Sequence, residues 1–203
     1  MGTYTKNELK ILNLFRKNVF LKVSIREIMK KVISKSYQRV YNSVHSLIRR
    51  NILNSEEFGN ISLISINWSR ESIVSLSYLD DIEIKNIPNY SKIIELKTIS
   101  NYLILVTGSY AKGTATKKSD LDLVVIVPNE SDIVKIQRKL ENETMLYIPE
   151  MHIYVLKTKD FIDMLVAKKE NYGKEIFRNN ILLKNPQLYY ELIQEAIENG
   201  FKD

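Results

Sequence analysis

Residues 102–127 read YLILVTGSYAKGTATKKSDLDLVVIV, and the fold turns on them. Residues 102–106 and 121–127 are short apolar runs of a length that suits buried strands. Gly108 and Ser109 follow the first run and open a helical turn, so backbone N–H groups and the Ser109 hydroxyl can meet phosphate oxygens. Gly113 removes a side chain where the backbone is expected to pass close to a ligand. Asp120 and Asp122 stand two residues apart, which puts both carboxylates on one face of a strand. Two such groups repel each other and are costly to desolvate unless a cation lies between them. A divalent ion removes that cost.

Gly108 and Ser109, then ten residues, then Asp120, Leu121 and Asp122 between two apolar strands resemble the signature of the nucleotidyltransferase superfamily that includes DNA polymerase beta. The match is to its minimal branch, with Ser119 and Leu123 in the expected company. Either half of the pattern alone is common by chance; the combination at this spacing is specific. The resemblance implies a short mixed sheet flanked by helices, an α/β (α+β) core. It also implies two Mg2+ ions held by three carboxylates on adjacent strands, one activating an attacking hydroxyl and the other steadying the triphosphate. The implied substrate is a nucleoside triphosphate, ATP by the family's habit. The implied nucleotide contacts are Gly108, Ser109, Lys112, Gly113 and Ser119, although Lys112 reads almost as well as a solvated loop charge.

Asp120 and Asp122 match the first two metal positions, and the third is expected on a later strand at residues 151–156. Glu150 opens that segment, and alternation puts it on the same face as His152. The family's usual residue there is Asp, so Glu150 is a departure, with His152 as the competing candidate. Without a working third carboxylate, nucleotide would bind and not turn over. Residues 89–100, ahead of the first strand, fit a helix, and beyond the last strand residues 159–169, 174–183 and 186–197 read as helices. Tyr189, Tyr190 and Ile193 are core in this reading, and the length leaves no room for the grip of a processive polymerase.

The first third of the chain reads differently. Residues 6–17 carry Leu9, Leu12 and Phe15 at helical spacing. Ser24 stands three residues before Glu27 at the start of an apolar-periodic run, a capping box. Tyr37, Val40, Tyr41, Val44, Leu47 and Ile48 then mark a helix over residues 36–50, whose polar positions are Gln38, Arg39, Asn42, Ser43, Ser46 and Arg49. Those residue types bond to base edges and phosphates. Two short strands follow around Gly59 and Asn60, a hairpin signal. Helix, helix, helix and hairpin in that order resemble winged helix-turn-helix domains, with double-stranded DNA as the implied partner. A winged helix serving only as a dimerisation platform reads the same way.

Charge supports that division: residues 1–70 hold 13 Lys and Arg against 4 Asp and Glu, while the rest of the chain is net acidic. The expected organisation is a winged helix at 1–70, a connector at 71–88 with a helical run from Ser69 to about Leu79 and with Asp80 and Asp81 as solvated carboxylates, and a nucleotidyltransferase core at 89–203. The absence of cysteine excludes disulfides and thiolate metal sites, and with two histidines the expected metal is a hard, oxygen-loving ion. No run approaches the roughly 18 apolar residues of a membrane helix, and the first ten residues lack the apolar core of a secretory signal. The expected location is the cytoplasm. The expected activity is transfer of a nucleoside monophosphate to an acceptor hydroxyl, a protein side chain among the candidates. The alternative is a DNA-binding regulator that senses nucleotide without catalysis, and a homodimer is compatible with both.

Overall fold

A pair of capping boxes starts the chain. Thr5 and Glu8 cap helix α1 (Lys6–Lys17), and Ser24 and Glu27 cap α2 (Ile25–Lys31), each Ser or Thr accepting from the N3 backbone while the Glu accepts from the cap residue. The computed structural model describes residues 3–84, 87–99 and 101–202. They divide into two compact units, one ending at Leu79 and the other running from Asp80 to Lys202. No helix among the described residues is long and apolar enough to cross a membrane.

In the first unit α3 (Tyr37–Arg49) packs against α1 and α2. The core is Ile11, Leu12, Phe15, Ile28, Val40, Val44 and Leu47, all fully buried. Strands β2 (Leu53–Phe58) and β3 (Ile61–Ile66) form the expected hairpin. Gly59 sits at its turn with φ +57°, where a side chain would be strained. A two-residue strand β1 (Val23–Ser24), which the sequence pattern did not reveal, adds to β3 and completes the order β1-β3-β2.

The stripe of α3 is turned from the one its apolar residues suggested. Tyr37 and Tyr41 are exposed, whereas Ser43 is buried and donates its hydroxyl to the Arg39 carbonyl. That i−4 bond is how a helical serine is buried without an unmet polar group. The helical run expected from Ser69 to about Leu79 is α4 (Arg70–Glu83), which continues through Asp80 and Asp81. Asp80 is not solvated, since it is only 6% exposed and accepts from the Tyr190 hydroxyl at 2.6 Å.

The second unit is built on a four-stranded sheet of order β6-β5-β4-β7. Its strands are β4 (Leu103–Val106), β5 (Leu121–Val127), β6 (Met151–Lys157) and β7 (Ile181–Lys184). β5 and β6 are parallel and the other pairs antiparallel, so the sheet is mixed as expected. Strand β5 is apolar along nearly its whole length because both faces are covered. A parallel pair needs a crossover, supplied by α7 (Ile133–Thr144), capped by Asp132 and buried through Leu140. The sequence reading left residues 129–148 without structure, so α7 is an addition.

Other expectations need correction. The described part of residues 89–100 holds only a short helix α5 (Tyr90–Ile94) and a 3-10 turn (Lys97–Ile99); Ser100 lies outside the described residues. Residues 174–183 are not one helix but α9 (Tyr172–Arg178) followed by β7. The helices α8 (Thr158–Val166) and α10 (Pro186–Glu198) bury Phe161, Leu165, Tyr189, Tyr190 and Ile193, so both tyrosines belong to the core.

Candidate active site

The register of β5 on β6 decides which side chains meet. Asp122 pairs with His152 across the two strands, and the Leu121 N–H donates to the Glu150 carbonyl at 2.8 Å. Leu121 turns into the core, so Asp120 and Asp122 turn together to the other side, as alternation requires. The His152 imidazole lies between them, Nδ1 at 3.6 Å from Asp122 Oδ1 and Nε2 at 3.9 Å from Asp120 Oδ2. All three are partly open to solvent, Asp122 the least at 28%.

Glu150 does not join this group. It precedes β6, its side chain is exposed, and among the described residues no set of three His, Cys, Asp or Glu side chains is arranged to hold a metal ion. The expected Asp120, Asp122 and Glu150 triad is therefore not assembled. The parallel register puts His152 opposite Asp122, while Glu150, like Asp120, stands one residue before its strand. The aspartate pair still fits a hard cation: two oxygen donors face one side with only an imidazole beside them.

The turn after β4 is shaped around Asp122. Thr107 donates its N–H to the Asp122 carbonyl at 3.0 Å and its hydroxyl to the Asn179 carbonyl at 2.9 Å. Gly108 has φ +66°, and a Cβ there would lie 2.0 Å from Asp122 Oδ2. Only glycine lets the carboxylate occupy its position. The single turn α6 (Gly108–Ala111) follows, with the Ser109 carbonyl accepting from the Thr114 N–H.

The other nucleotide candidates have local roles. Gly113 answers a backbone need, with φ +70° and open space where a Cβ would be, not a close approach. Lys112 forms a 2.8 Å ion pair with Glu175 of α9. The Ser119 hydroxyl accepts from the Thr116 N–H at 2.8 Å and braces the loop ahead of Asp120.

Tyr172, at the start of α9, is a neighbour that the sequence reading missed. Its ring lies 5.3 Å from that of Tyr154, and its buried hydroxyl has no hydrogen-bond partner among the described residues. Burial pushes the phenol far above its ordinary value, and the nearby Tyr154, Asp122 and Glu175 push the same way. An aromatic residue between two predicted helices gives no signal of this kind; only the tertiary fold brings Tyr172 to Asp122.

In the first unit Gln38, Arg39, Asn42 and Arg49 are exposed on α3, and Gln38 donates to Asn42 at 2.9 Å. Ser43 and Ser46 leave that face: Ser43 is buried, and Ser46 donates to Glu8 Oε1 at 2.7 Å.

Residues 90–183 match the family described as "Nucleotidyltransferase domain". That span runs from α5 to β7 and encloses Gly108, Ser109, Asp120, Asp122 and His152. No curated protein matches the chain. A solved structure described as "Crystal structure of the toxin-antitoxin with AMP-PNP" is similar at 20% identity, over 55% of this chain and 86% of that one, with a TM-score of 0.38.

Proposed function

We propose that the nucleotidyltransferase domain transfers a nucleoside monophosphate from a nucleoside triphosphate, ATP in the first instance, to an acceptor hydroxyl. The observation that carries this reading is the pair Asp120 and Asp122, facing one side at the start of β5 over a glycine turn that a Cβ would block. Its position inside the matched span supports the same reading.

Divalent cations, two Mg2+ in the family's scheme, would be held by Asp120 and Asp122 and would supply charge neutralisation to the triphosphate and an activated hydroxyl. The chain's own residues do the rest. Gly108 and Ser109 offer backbone N–H groups and a hydroxyl to phosphate oxygens, and Gly113 sets the loop's course. Lys112, now on Glu175 at 2.8 Å, can exchange that carboxylate for a phosphate. Ser119 keeps the loop in register, and His152 keeps an imidazole beside both carboxylates. The test is binding and turnover of α-labelled ATP with Mg2+, and a preparation that binds no nucleoside triphosphate defeats the proposal.

For the first unit we read a winged helix-turn-helix that meets double-stranded DNA through Gln38, Arg39, Asn42 and Arg49. Support comes from the order of helices, the three-stranded sheet and the excess of Lys and Arg before residue 70. Arg39→Glu with Arg49→Glu should weaken DNA binding at low salt and flatten its salt dependence, because phosphate contacts dominate there. Unchanged binding would leave a dimerisation platform. A second reading of the whole protein, a nucleotide-sensing regulator, is favoured by the excess of Lys and Arg before residue 70 and by Glu150 standing where the family usually has Asp. It predicts nucleotide-dependent DNA binding with no pyrophosphate released.

A further inference from the structure

β6 ends the sheet, and among the described residues it pairs only with β5. A cavity of about 830 Å³ runs along it, lined by every residue from Glu150 to Met151, His152, Ile153 and Tyr154. Successive residues of a strand point to opposite faces. A hollow that touches all five therefore follows the strand's open edge rather than either face. At about 3.3 Å per residue the groove is roughly 16 Å long, enough for about five residues of an added strand. At its middle is His152, the residue between the two aspartates.

The far wall is the end of α7 and the chain that follows it, with Glu141, Thr144, Met145, Tyr147 and Ile148 in the lining. Met145, Leu146 and Ile148 are 75–89% exposed, three large apolar side chains in a four-residue stretch. Among the described residues the charges of the lining are Glu141 and Glu150, with no Lys or Arg. Lys92 has its Nζ 5.2 Å from the Tyr147 ring centroid. A groove of this kind repels a polyanion and offers what an extended chain needs: an unpaired strand edge, apolar contacts and carboxylates.

We infer that this groove is the acceptor site, and that the acceptor is a polypeptide segment rather than a nucleic acid. It is added along β6 in extended form, with a basic side chain near Glu141 and Glu150 and a Ser, Thr or Tyr hydroxyl brought up to Asp122. The inference rests on the nucleotidyl-transfer reading above and specifies its substrate. In the step itself the acceptor oxygen bonds to the α-phosphorus of ATP while the α,β-bridging P–O bond breaks. Pyrophosphate leaves, and the hydroxyl proton passes to solvent at the open mouth of the groove.

The experiment uses the full chain with α-labelled ATP, Mg2+ and a cell lysate, the product divided by protease and by ribonuclease. Beside it, a fluorescent peptide of alternating lysine and serine is titrated without ATP. Label that protease releases, together with peptide affinity and transfer that both fall about tenfold in Glu141→Lys, is the expected result. ATP affinity should stay the same in that variant, which separates the acceptor role from any effect on the nucleotide. Label that follows ribonuclease, or transfer and peptide binding indifferent to Glu141→Lys, overturns the acceptor assignment while the transferase reading stands. Absence of ATP binding and of pyrophosphate release in the wild type refutes the transferase reading and this inference with it.

Discussion

Replacing Gly108 with alanine puts two separable loads on the second unit. The backbone there has φ +66°, and a residue with a Cβ pays about 1–2 kcal/mol to hold that conformation. The new Cβ would also lie 2.0 Å from Asp122 Oδ2, where real contacts begin above 3.0 Å. The carboxylate must therefore swing by roughly 1 Å, and a displacement of that size near the reacting atoms costs on the order of 100-fold in rate. Gly200→Ala isolates the first load, since Gly200 has φ +99° and open space where its Cβ would stand. Both variants should lower the melting temperature by roughly 2–8 °C, at about 2–4 °C per kcal/mol for a chain of this size. Only Gly108→Ala should lose about 100-fold in pyrophosphate release, with Gly200→Ala staying within about twofold of wild type. Equal losses in the two variants, or full activity in Gly108→Ala, would refute the claim that Gly108 exists to seat Asp122.

Two further outcomes concern stability. Burial pushes the Glu8 carboxyl up, but hydrogen bonds from the Thr5 backbone and the Ser46 and Thr5 hydroxyls, with Arg50 nearby, outweigh it and hold the group below its ordinary value of 4.5. A carboxylate with a depressed value stabilises the fold above its unfolded value, and that contribution is lost as pH falls through the folded one. The first unit should thus weaken in acid below about pH 4.5, and Glu8→Gln should show a shallower decline in denaturant titrations at successive pH values; parallel declines would count against it. Tyr190→Phe removes the 2.6 Å donor to buried Asp80 and should cost about 1–3 kcal/mol of unfolding free energy. An unchanged denaturant midpoint would contradict that role for Asp80.

What could be read from the sequence was what local chemistry dictates. Ser24 with Glu27 caps a helix within four residues of chain, Gly59 and Asn60 turn a hairpin, and the β5 run announces a buried strand. The side shared by Asp120 and Asp122 follows from alternation alone. The failures were tertiary. Residues 181–184 are too short an apolar run to tell strand from helix without knowing that β4 has a free edge for them. Asp80 gave no sign of its partner because Tyr190 lies 110 residues away. The pairing of His152 with Asp122 depends on the register of a parallel pair, which alternation within one strand does not give, and the crossover α7 itself could have been read from Asp132, Ile133, Ile136 and Leu140.

The most direct test of the central claim is pyrophosphate release from ATP with Mg2+ in the presence of lysate acceptors, wild type beside Asp122→Ala. The account predicts release coupled to labelling of an acceptor in the wild type, and loss of both in the variant with its melting temperature kept. Release that persists in Asp122→Ala, or a wild type that binds ATP and never turns it over, would contradict it.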